Sequence, residues 1–230
     1  MSLKLWIANK NYSSWSLRPW LLLSQLGIPF EESLVPFSHV SSNPEFGRFS
    51  PTAKVPVLEE GDTLVWESLA IIEYLGDSHA EVWPEESNAR AWARSAAAEM
   101  HAGFTALRNR CPMNCALRLS IPEIAPDLAQ DIQRLDALWC EGLERFGGPC
   151  LAGAQFTGVD AFYAPVVLRC QGFGLTERLS PPAQAYIARI NALDAMQKWQ
   201  ADAIRETPES GHEADSLANG VLEHDLRKEA

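Results

Sequence analysis

The sequence predicts an α/β domain with a mixed four-stranded sheet over residues 1–79, followed by an all-helical bundle over residues 88–206. Strand and helix patterns alternate in the first third of the chain, which is typical of a sheet with helices on its faces. After the polar segment 80–87, which we interpret as a linker, helical periodicity replaces the strand patterns. The 230 residues suffice for two small domains, and the polar tail at 207–230 is expected to fray.

The first domain begins with alternating apolar residues that predict a strand. Glu60, Gly61 and Asp62 separate two later apolar runs, as in a hairpin turn. Gly27 is placed to end the first helix. The predicted elements are a strand at 3–7, a helix at 20–26, a strand at 32–36, a short helix or irregular turn at 43–49, strands at 54–58 and 63–66, and a helix at 67–75.

The second domain is predicted from segments whose apolar residues recur every three to four positions. Gly147, Gly148 and Pro149 end the second of them. The predicted helices cover 89–110, 123–146, 159–172, 182–193 and 196–204, and we see no internal repeat.

Charge and composition argue against several classes of protein. The formal net charge of −11 disfavours nucleic acid and anionic lipid as partners. No apolar run approaches the roughly 20 residues that cross a bilayer, and the first residues lack the order of a signal peptide, so we expect a cytoplasmic protein. The five cysteines are expected to be free buried thiols, and their spacing does not favour a metal site. No cysteine precedes Cys111, which argues against a dithiol oxidoreductase.

A serine-rich segment, YSSWSLRP at residues 12–19, lies between the first strand and the first helix. Serine hydroxyls at a helix start accept hydrogen bonds from free backbone N–H groups, so capping is the plain interpretation. The functional interpretation is a hydroxyl held beside the positive end of a helix, which suits an anion such as a thiolate. Pro19 fits a first helical turn, where its missing N–H has no partner to lose.

Val55 and Pro56 open a predicted strand with a residue that is poor inside a sheet. A cis bond would turn the backbone of Val55 outward to pair with a peptide-like ligand, while an edge-strand proline is the plain alternative. Lys54 beside the proline and His39 upstream carry groups that pair with ligand carboxylates, although such side chains are usually just solvated.

Glu67 and Ser68 directly precede an apolar helix. Backbone N–H groups and a serine hydroxyl at a helix N-terminus form a natural carboxylate site. Since Glu67 can meet an ammonium group, the pair would grip the α-amino-acid end of a ligand. In isolation, a helix cap is the simpler interpretation.

The combination of these features is more specific than its parts. The segments YSSWSLRPWLLLSQLGIPFEE and SPTAKVPVLEEGDTLVWESLAIIEYL resemble bacterial serine-type glutathione transferases of the tau, zeta and theta kind, over residues 3–75. The resemblance implies a thioredoxin-like first domain, a helical second domain, a homodimer and a role in detoxification. It extends in outline over residues 88–199.

The resemblance also implies a role for the residues that carry it. Pro56 would be cis, and Val55 would bind the cysteinyl part of glutathione through its backbone. Glu67 and Ser68 would bind the γ-glutamyl end, and Lys54 the glycyl region. No metal is implied.

The resemblance leaves the catalytic serine open. Counting from Arg18 gives Ser13 by the zeta and tau pattern and Ser14 by the theta pattern; we favour Ser13 and keep Ser14 beside it. Trp15 stands where the zeta motif has a cysteine, which argues against isomerase and disulfide-exchange chemistry that relies on that cysteine. His39 joins the glutathione-binding residues, although its loop varies in the family.

The second domain supplies a structural signal and candidates for a second-substrate pocket. Thr157 and Asp160 have the spacing of a capping box, which the family carries at the start of a buried helix, so we assign them a structural role. Met100, Phe104 and Leu107 form an apolar stripe that we interpret as core. The neighbouring face of the same predicted helix holds His101 and Arg108. The candidates for the second-substrate pocket are Tyr12, Trp15, Phe37, His101 and Arg108.

The leading hypothesis is a glutathione transferase. A serine hydroxyl and a helix end would favour the thiolate of glutathione, which would attack an electrophilic carbon of a small hydrophobic co-substrate. Isomerisation of the maleylacetoacetate-isomerase kind, dehalogenation and peroxidase activity stay open. From another class, the alternative is a non-catalytic transferase-fold module that binds protein partners; the intact set of Ser13, Val55, Pro56, Glu67 and Ser68 argues against it.

Overall fold

The computed structural model describes residues 2–38 and 43–228, and its first domain is a four-stranded mixed sheet flanked by helices. Its elements are β1 (Leu3–Ile7), α1 (Ser14–Gln25), β2 (Phe30–Leu34), a 3₁₀ turn (Pro44–Arg48), β3 (Val57–Glu60), β4 (Thr63–Trp66) and α2 (Ser68–Ser78). The strand order is β2-β1-β3-β4, with β1 parallel to β2 and antiparallel to β3. The predicted thioredoxin-like arrangement is confirmed.

The rest of the chain is mostly helical, as predicted. Its elements are α3 (Ser87–Ala102), α4 (Thr105–Arg110), β5 (Leu117–Ser120), α5 (Pro126–Arg145), α6 (Gly158–Gly172), α7 (Pro181–Asn191), α8 (Asp194–Arg205), α9 (Ser210–Ala218) and β6 (Val221–Asp225). Helix α6 is buried along almost its whole length and packs against α1 and α3. The core of the second domain therefore rests directly on the helix that begins at the serine-rich segment.

Helix α1 begins six residues before the predicted start, at Ser14, so Pro19 lies in the helix interior and the expectation of a first-turn proline is wrong. Leu17, Trp20 and Leu21 of this helix are almost completely buried. Burial of these side chains outweighs the backbone hydrogen bond that the proline removes. The consequence is that the serines lie at the helix N-terminus itself.

The segment predicted as one helix, 89–110, forms two helices, because the helix is interrupted between Ala102 and Thr105. Phe104 adopts a left-handed backbone conformation with φ 52°, and its buried ring meets the ring of Tyr163 edge-on. His101 and Arg108 therefore lie on different helices rather than on one face, which corrects the prediction. The Arg108 guanidinium spans the break by donating to the Gly103 carbonyl at 3.3 Å.

Two structural predictions for the second domain are confirmed. The stripe of Met100, Phe104 and Leu107 is buried core. Thr157 and Asp160 form the capping box at the start of α6, where the Asp160 carboxylate accepts the Thr157 N–H at 2.9 Å. That helix N-terminus is thus closed by its own side chains.

The polar tail does not fray but folds back over the first domain. Strand β6 pairs antiparallel with β5, a two-stranded sheet that the sequence analysis did not predict. The Tyr12 hydroxyl donates to Glu213 on α9 at 2.7 Å, and Arg227 reaches Glu213 at 2.8 Å and Asp225 at 2.8 Å. The order of this segment comes from contacts with distant residues, which its own composition does not reveal.

The predicted linker is packed rather than solvated, since Val82 and Trp83 are buried. All five cysteines are free, and burial raises the pKa of Cys111, Cys115 and Cys170 to about 12. Over the described ranges, no helix has the length and apolar character needed to cross a bilayer.

Candidate functional site

Two adjoining cavities lie where the serine-rich segment meets the second domain. The larger, which we call the serine cavity, has a volume of about 410 Å³, and the smaller, the proline cavity, about 260 Å³. Four residues line both: Trp15, Lys54, Val55 and Arg108. The serine cavity adds Tyr12, Ser13, Ser14, Phe37, Phe46, Asn109, Pro112, Met113, Arg169, His212 and Asp215; the proline cavity adds Thr52, Pro56 and Glu67.

A still larger depression, of about 1060 Å³, is lined by residues such as Trp83, Arg90 and Phe156. None of the residues predicted for catalysis or binding lines it. The largest depression is therefore not the candidate site, and the two smaller cavities, which the predicted residues line, are.

The two candidate serines lie side by side at the start of α1. Ser13 is the residue before the helix, and its hydroxyl makes no capping bond but lies 2.7 Å from the Ser16 hydroxyl. Ser14 Oγ accepts a long hydrogen bond of 3.4 Å from Arg169 Nη2. Since a hydroxyl can accept one hydrogen bond and still donate another, both serines can present a proton to an anion in the serine cavity.

Trp15 separates the two cavities and is held by positively charged groups. The guanidinium carbon of Arg18 lies 4.1 Å from the ring centre of Trp15, and that of Arg108 lies 4.9 Å from it. Both are cation–π distances. His101 meets the same ring edge-on, with ring centres 5.3 Å apart, but it lines neither cavity.

The N-terminus of α2 borders the proline cavity. Glu67 precedes the helix with φ 70° and ψ 128°, a conformation that side-chain-bearing residues rarely adopt, and makes no capping bond. Ser68 is fully buried just inside the helix, and its hydroxyl accepts from Arg18 Nη1 at 3.4 Å. A strained residue that leaves a helix N-terminus uncapped points to a ligand there.

The peptide bond between Val55 and Pro56 is cis, as the resemblance implied. β3 begins only at Val57, so Val55 lies outside the strand pairing and lines both cavities. Lys54 is exposed at the same wall. The geometry thus combines a backbone segment free of the sheet with a cation beside it.

Three arginines that the sequence analysis did not treat as a group surround the serine-rich segment: Arg18, Arg108 and Arg169. Burial, and then the charges of Arg169 and Arg108, hold the pKa of Arg18 well below its usual range. Burial lowers the pKa of Arg169 to about 10 and lowers that of Arg108. Only Arg108 was predicted for the site. The sequence signal for the others is a single arginine inside an apolar helical run, as in VVLRC.

Helix α9 supplies one wall of the serine cavity. The His212 ring stacks on Tyr12, with ring centres 4.6 Å apart, and also contacts Phe37 at 4.8 Å. Its Nδ1 lies 2.7 Å from a Glu209 carboxylate oxygen, which fixes the ring. Burial, together with the Glu213 hydrogen bond, raises the pKa of Tyr12, so the phenol stays neutral. His212 was not predicted for the site, because the polar composition of residues 207–230 indicated a frayed tail.

Most predicted site residues converge on the two cavities, with three exceptions. Ser68 is not among the lining residues, although its neighbour Glu67 lines the proline cavity, and His101 contacts Trp15 without lining either cavity. His39 falls outside the described residues.

Comparisons with known proteins agree with this geometry. The family model of the glutathione S-transferase N-terminal domain matches residues 12–78. A glutathione S-transferase 1 of Dianthus caryophyllus is 28% identical over 177 residues, covering 75% of this chain and 80% of the relative. A probable maleylacetoacetate isomerase of Vibrio cholerae is 27% identical over 160 residues, covering 66% and 73%. Matches of higher identity, 41% and 38%, are short and span about a fifth of those curated relatives' length.

The fold has close counterparts among solved structures. A glutathione transferase homolog from Burkholderia, solved with bound glutathione, superposes with a TM-score of 0.65 at 20% identity, covering 90% of this chain and 100% of that one. The serine cavity, the cis Val55–Pro56 bond and the open start of α2 lie in or beside the matched N-terminal segment. Residues 12–78 therefore belong to the glutathione S-transferase N-terminal domain family, and the chain as a whole has the fold of the cytosolic-type glutathione transferases.

Proposed function

We propose that this protein is a glutathione transferase that binds glutathione across the proline cavity and activates its thiol in the serine cavity. The observation that carries the proposal is the pair of open helix N-termini, those of α1 and α2, which border the two joined cavities. One end suits a thiolate and the other a carboxylate.

In the proline cavity, the γ-glutamyl end of glutathione is held at the start of α2. Its α-carboxylate receives hydrogen bonds from the backbone and hydroxyl of Ser68, and its ammonium group pairs with the Glu67 carboxylate. The cysteinyl unit pairs with the backbone of Val55, and Lys54 pairs with the glycyl carboxylate. This placement directs the thiol toward the serines.

In the serine cavity, the Ser13 hydroxyl donates a hydrogen bond to the glutathione sulfur. The positive end of α1 adds to this, so the thiolate is favoured over the thiol. The thiolate then attacks an electrophilic carbon of the second substrate. The proton of the thiol passes to solvent.

Conjugation is preferred to isomerisation because Trp15, packed between Arg18 and Arg108, has no nucleophilic group to offer. We extend the proposal to a homodimer that acts in the cytoplasm in detoxification, as the family resemblance implies.

Calorimetric titration with reduced glutathione tests the proposal. Ser68→Ala is expected to weaken binding by about tenfold or more, since a hydrogen bond to a charged group is worth roughly 1.5–3 kcal/mol. Ser87→Ala is the matched control, because Ser87 is also the first residue of a helix but is exposed and lines neither cavity.

Ser13→Ala is expected to retain most of the binding, since it contacts only the sulfur. Absence of binding to the wild-type protein at millimolar glutathione would overturn the enzyme assignment. It would favour a transferase-fold module that binds proteins.

A further inference from the structure

Arg169 is a buried cation in the wall of the serine cavity, and none of the described residues supplies it with a counter-ion. The residue is 7% exposed, and the acceptors of its hydrogen bonds are neutral: Ser14 Oγ at 3.4 Å and the Pro165 carbonyl at 3.3 Å. Within the described part of the chain, its Nε has no acceptor. Burying a guanidinium in this way is unfavourable unless an anion joins it.

Arg108 brings a second positive charge to the same cavity from α4. Among the residues that the structure describes, its hydrogen-bond acceptors are the carbonyl oxygens of His101 and Gly103. The charges that act on Arg108 and Arg169 include no carboxylate of the described residues. Asp215, the one carboxylate among the described lining residues, is exposed.

The absence of a counter-ion is a local property and not a shortage of acidic residues. The protein has 30 aspartates and glutamates against 19 lysines and arginines. Arg227, on the nearby tail, pairs with both Glu213 and Asp225. An anionic ligand is the remaining partner for Arg108 and Arg169.

The serine cavity also has an apolar part, to which Phe37, Phe46 and Met113 contribute, beside polar lining residues such as Asn109. Such a cavity fits a ligand with an apolar body and one acidic group. We propose that the serine cavity binds a second substrate that carries a carboxylate on an apolar body, with Arg169 and Arg108 donating hydrogen bonds to that carboxylate. Naming this ligand a second substrate rests on the proposed function.

The cavity can be probed directly with an unreactive pair of ligands, 4-methylbenzoate and the neutral 4-methylbenzamide. With glutathione present at saturation, calorimetry is expected to show at least about tenfold tighter binding of the benzoate, since Arg–carboxylate hydrogen bonds are charge-assisted. Arg108→Gln and Arg169→Gln are expected to remove most of that difference, whereas Arg169→Lys keeps the charge and should retain part of it. Arg110→Gln is the matched control, because Arg110 lies on the same helix but is exposed and pairs with Asp127.

A reactive pair extends the test to turnover: 4-(bromomethyl)benzoate and its methyl ester. The glutathione sulfur forms a bond to the benzylic carbon, the carbon–bromine bond breaks, and bromide leaves with the electron pair. The wild-type protein is expected to favour the benzoate in kcat/KM by about tenfold, through KM, from the charge-assisted hydrogen bonds. In Arg108→Gln and Arg169→Gln the ratio of the two kcat/KM values, benzoate over ester, is expected to fall toward one.

The outcomes separate this inference from the proposed function. Equal affinity for benzoate and benzamide overturns the carboxylate assignment. An equal fall in kcat/KM for both reactive probes in the arginine variants also overturns it, because it shows that the arginines act on the thiolate. Benzoate binding that depends on both arginines in a protein that does not bind glutathione upholds the anion site and overturns the transferase. Turnover of the ester without benzoate preference upholds the transferase and overturns the anion site.

Discussion

The N-terminus of α6 is closed by its own side chains, whereas those of α1 and α2 are left open beside a cavity. At α6, the Asp160 carboxylate accepts from Thr157 N, from Leu151 N at 3.0 Å and from the Tyr186 hydroxyl at 3.1 Å. At α1 and α2, the preceding residues Ser13 and Glu67 make no capping bond. Every helix start carries free N–H groups, and at α1 and α2 these groups lie beside a cavity, where a ligand can accept hydrogen bonds from them.

The two kinds of N-terminus also differ in backbone strain. Thr157 enters α6 in an extended conformation that any residue adopts, while Glu67 enters α2 with φ 70°. A non-glycine residue in that region costs about 1–3 kcal/mol. The closed N-terminus of α6 thus contributes to stability, whereas the strained N-terminus of α2 lowers it in favour of ligand binding.

The largest expected effect is at the closed end. Asp160→Asn replaces a buried acceptor with a donor that faces other donors, so we expect a loss of about 3 kcal/mol in the free energy of unfolding. Thermal or denaturant unfolding measures it. Asp127→Asn, in the exposed first turn of α5, is the control and should lose far less. Equal losses of unfolding free energy in the two variants would show that the capping box at α6 is not a special source of stability.

At the open end of α1, a large effect is expected on chemistry and almost none on stability. Ser13→Ala is expected to raise the pKa of bound glutathione by about one to two units, because a hydrogen bond to the thiolate is lost. Stability should change by no more than about 0.5 kcal/mol, since the hydroxyl does not cap the helix. Thiolate absorbance against pH gives the first quantity. A shift in Ser14→Ala alone would make Ser14 the catalytic serine.

At the open end of α2, stability and function are expected to move in opposite directions. Glu67→Gly relieves the strain of the positive φ, so the free energy of unfolding should rise by up to about 1 kcal/mol. The gain is smaller than the strain relieved, because glycine has more conformational freedom in the unfolded chain. Glutathione binding should weaken, because the partner of its ammonium group is lost. A variant that is both less stable and still binds glutathione would show that Glu67 is not strained for ligand binding.

The smallest expected effect is on the stability of α9. Its N-terminus is also closed by a side chain, the Glu209 carboxylate, which can be protonated. The Glu209 carboxylate accepts from His212 N at 2.8 Å and Gly211 N at 3.1 Å. Burial acts to raise its pKa, but these bonds and the His212 ring outweigh it, and the pKa is lowered. The cap therefore stabilises α9 above the ordinary glutamate pKa of about 4.3 and is lost as the pH falls through the lower folded value.

Hydrogen exchange of the α9 amides between pH 7 and pH 3 measures that loss. In Glu209→Gln the acid-dependent step should be absent. A step of equal size in the variant would assign it to other carboxylates of the tail, such as Glu213 and Asp225.

Features that depend on residues close together in the sequence could be predicted from it. The hairpin at Gly61 and the capping box at Thr157 depend on a few adjacent residues, and both are present. Prediction failed where distant contacts decide, as at the left-handed Phe104 and in the tail that docks through Glu213. Arg169 was missed for the same reason, since the sequence does not show that α6 carries it to Ser14.

The docking of the tail has a consequence for how the protein is made. Residues 12–78, which carry the matched N-terminal domain, leave the ribosome early, and domains fold as they emerge. One wall of the serine cavity comes from His212, so that cavity is incomplete until the segment beyond residue 212 has been synthesised and has folded back. During translation, the nascent first domain therefore exposes the part of the serine cavity formed by Tyr12, Ser13, Ser14 and Trp15, and α9 completes the cavity after Arg108 and Arg169 have been added.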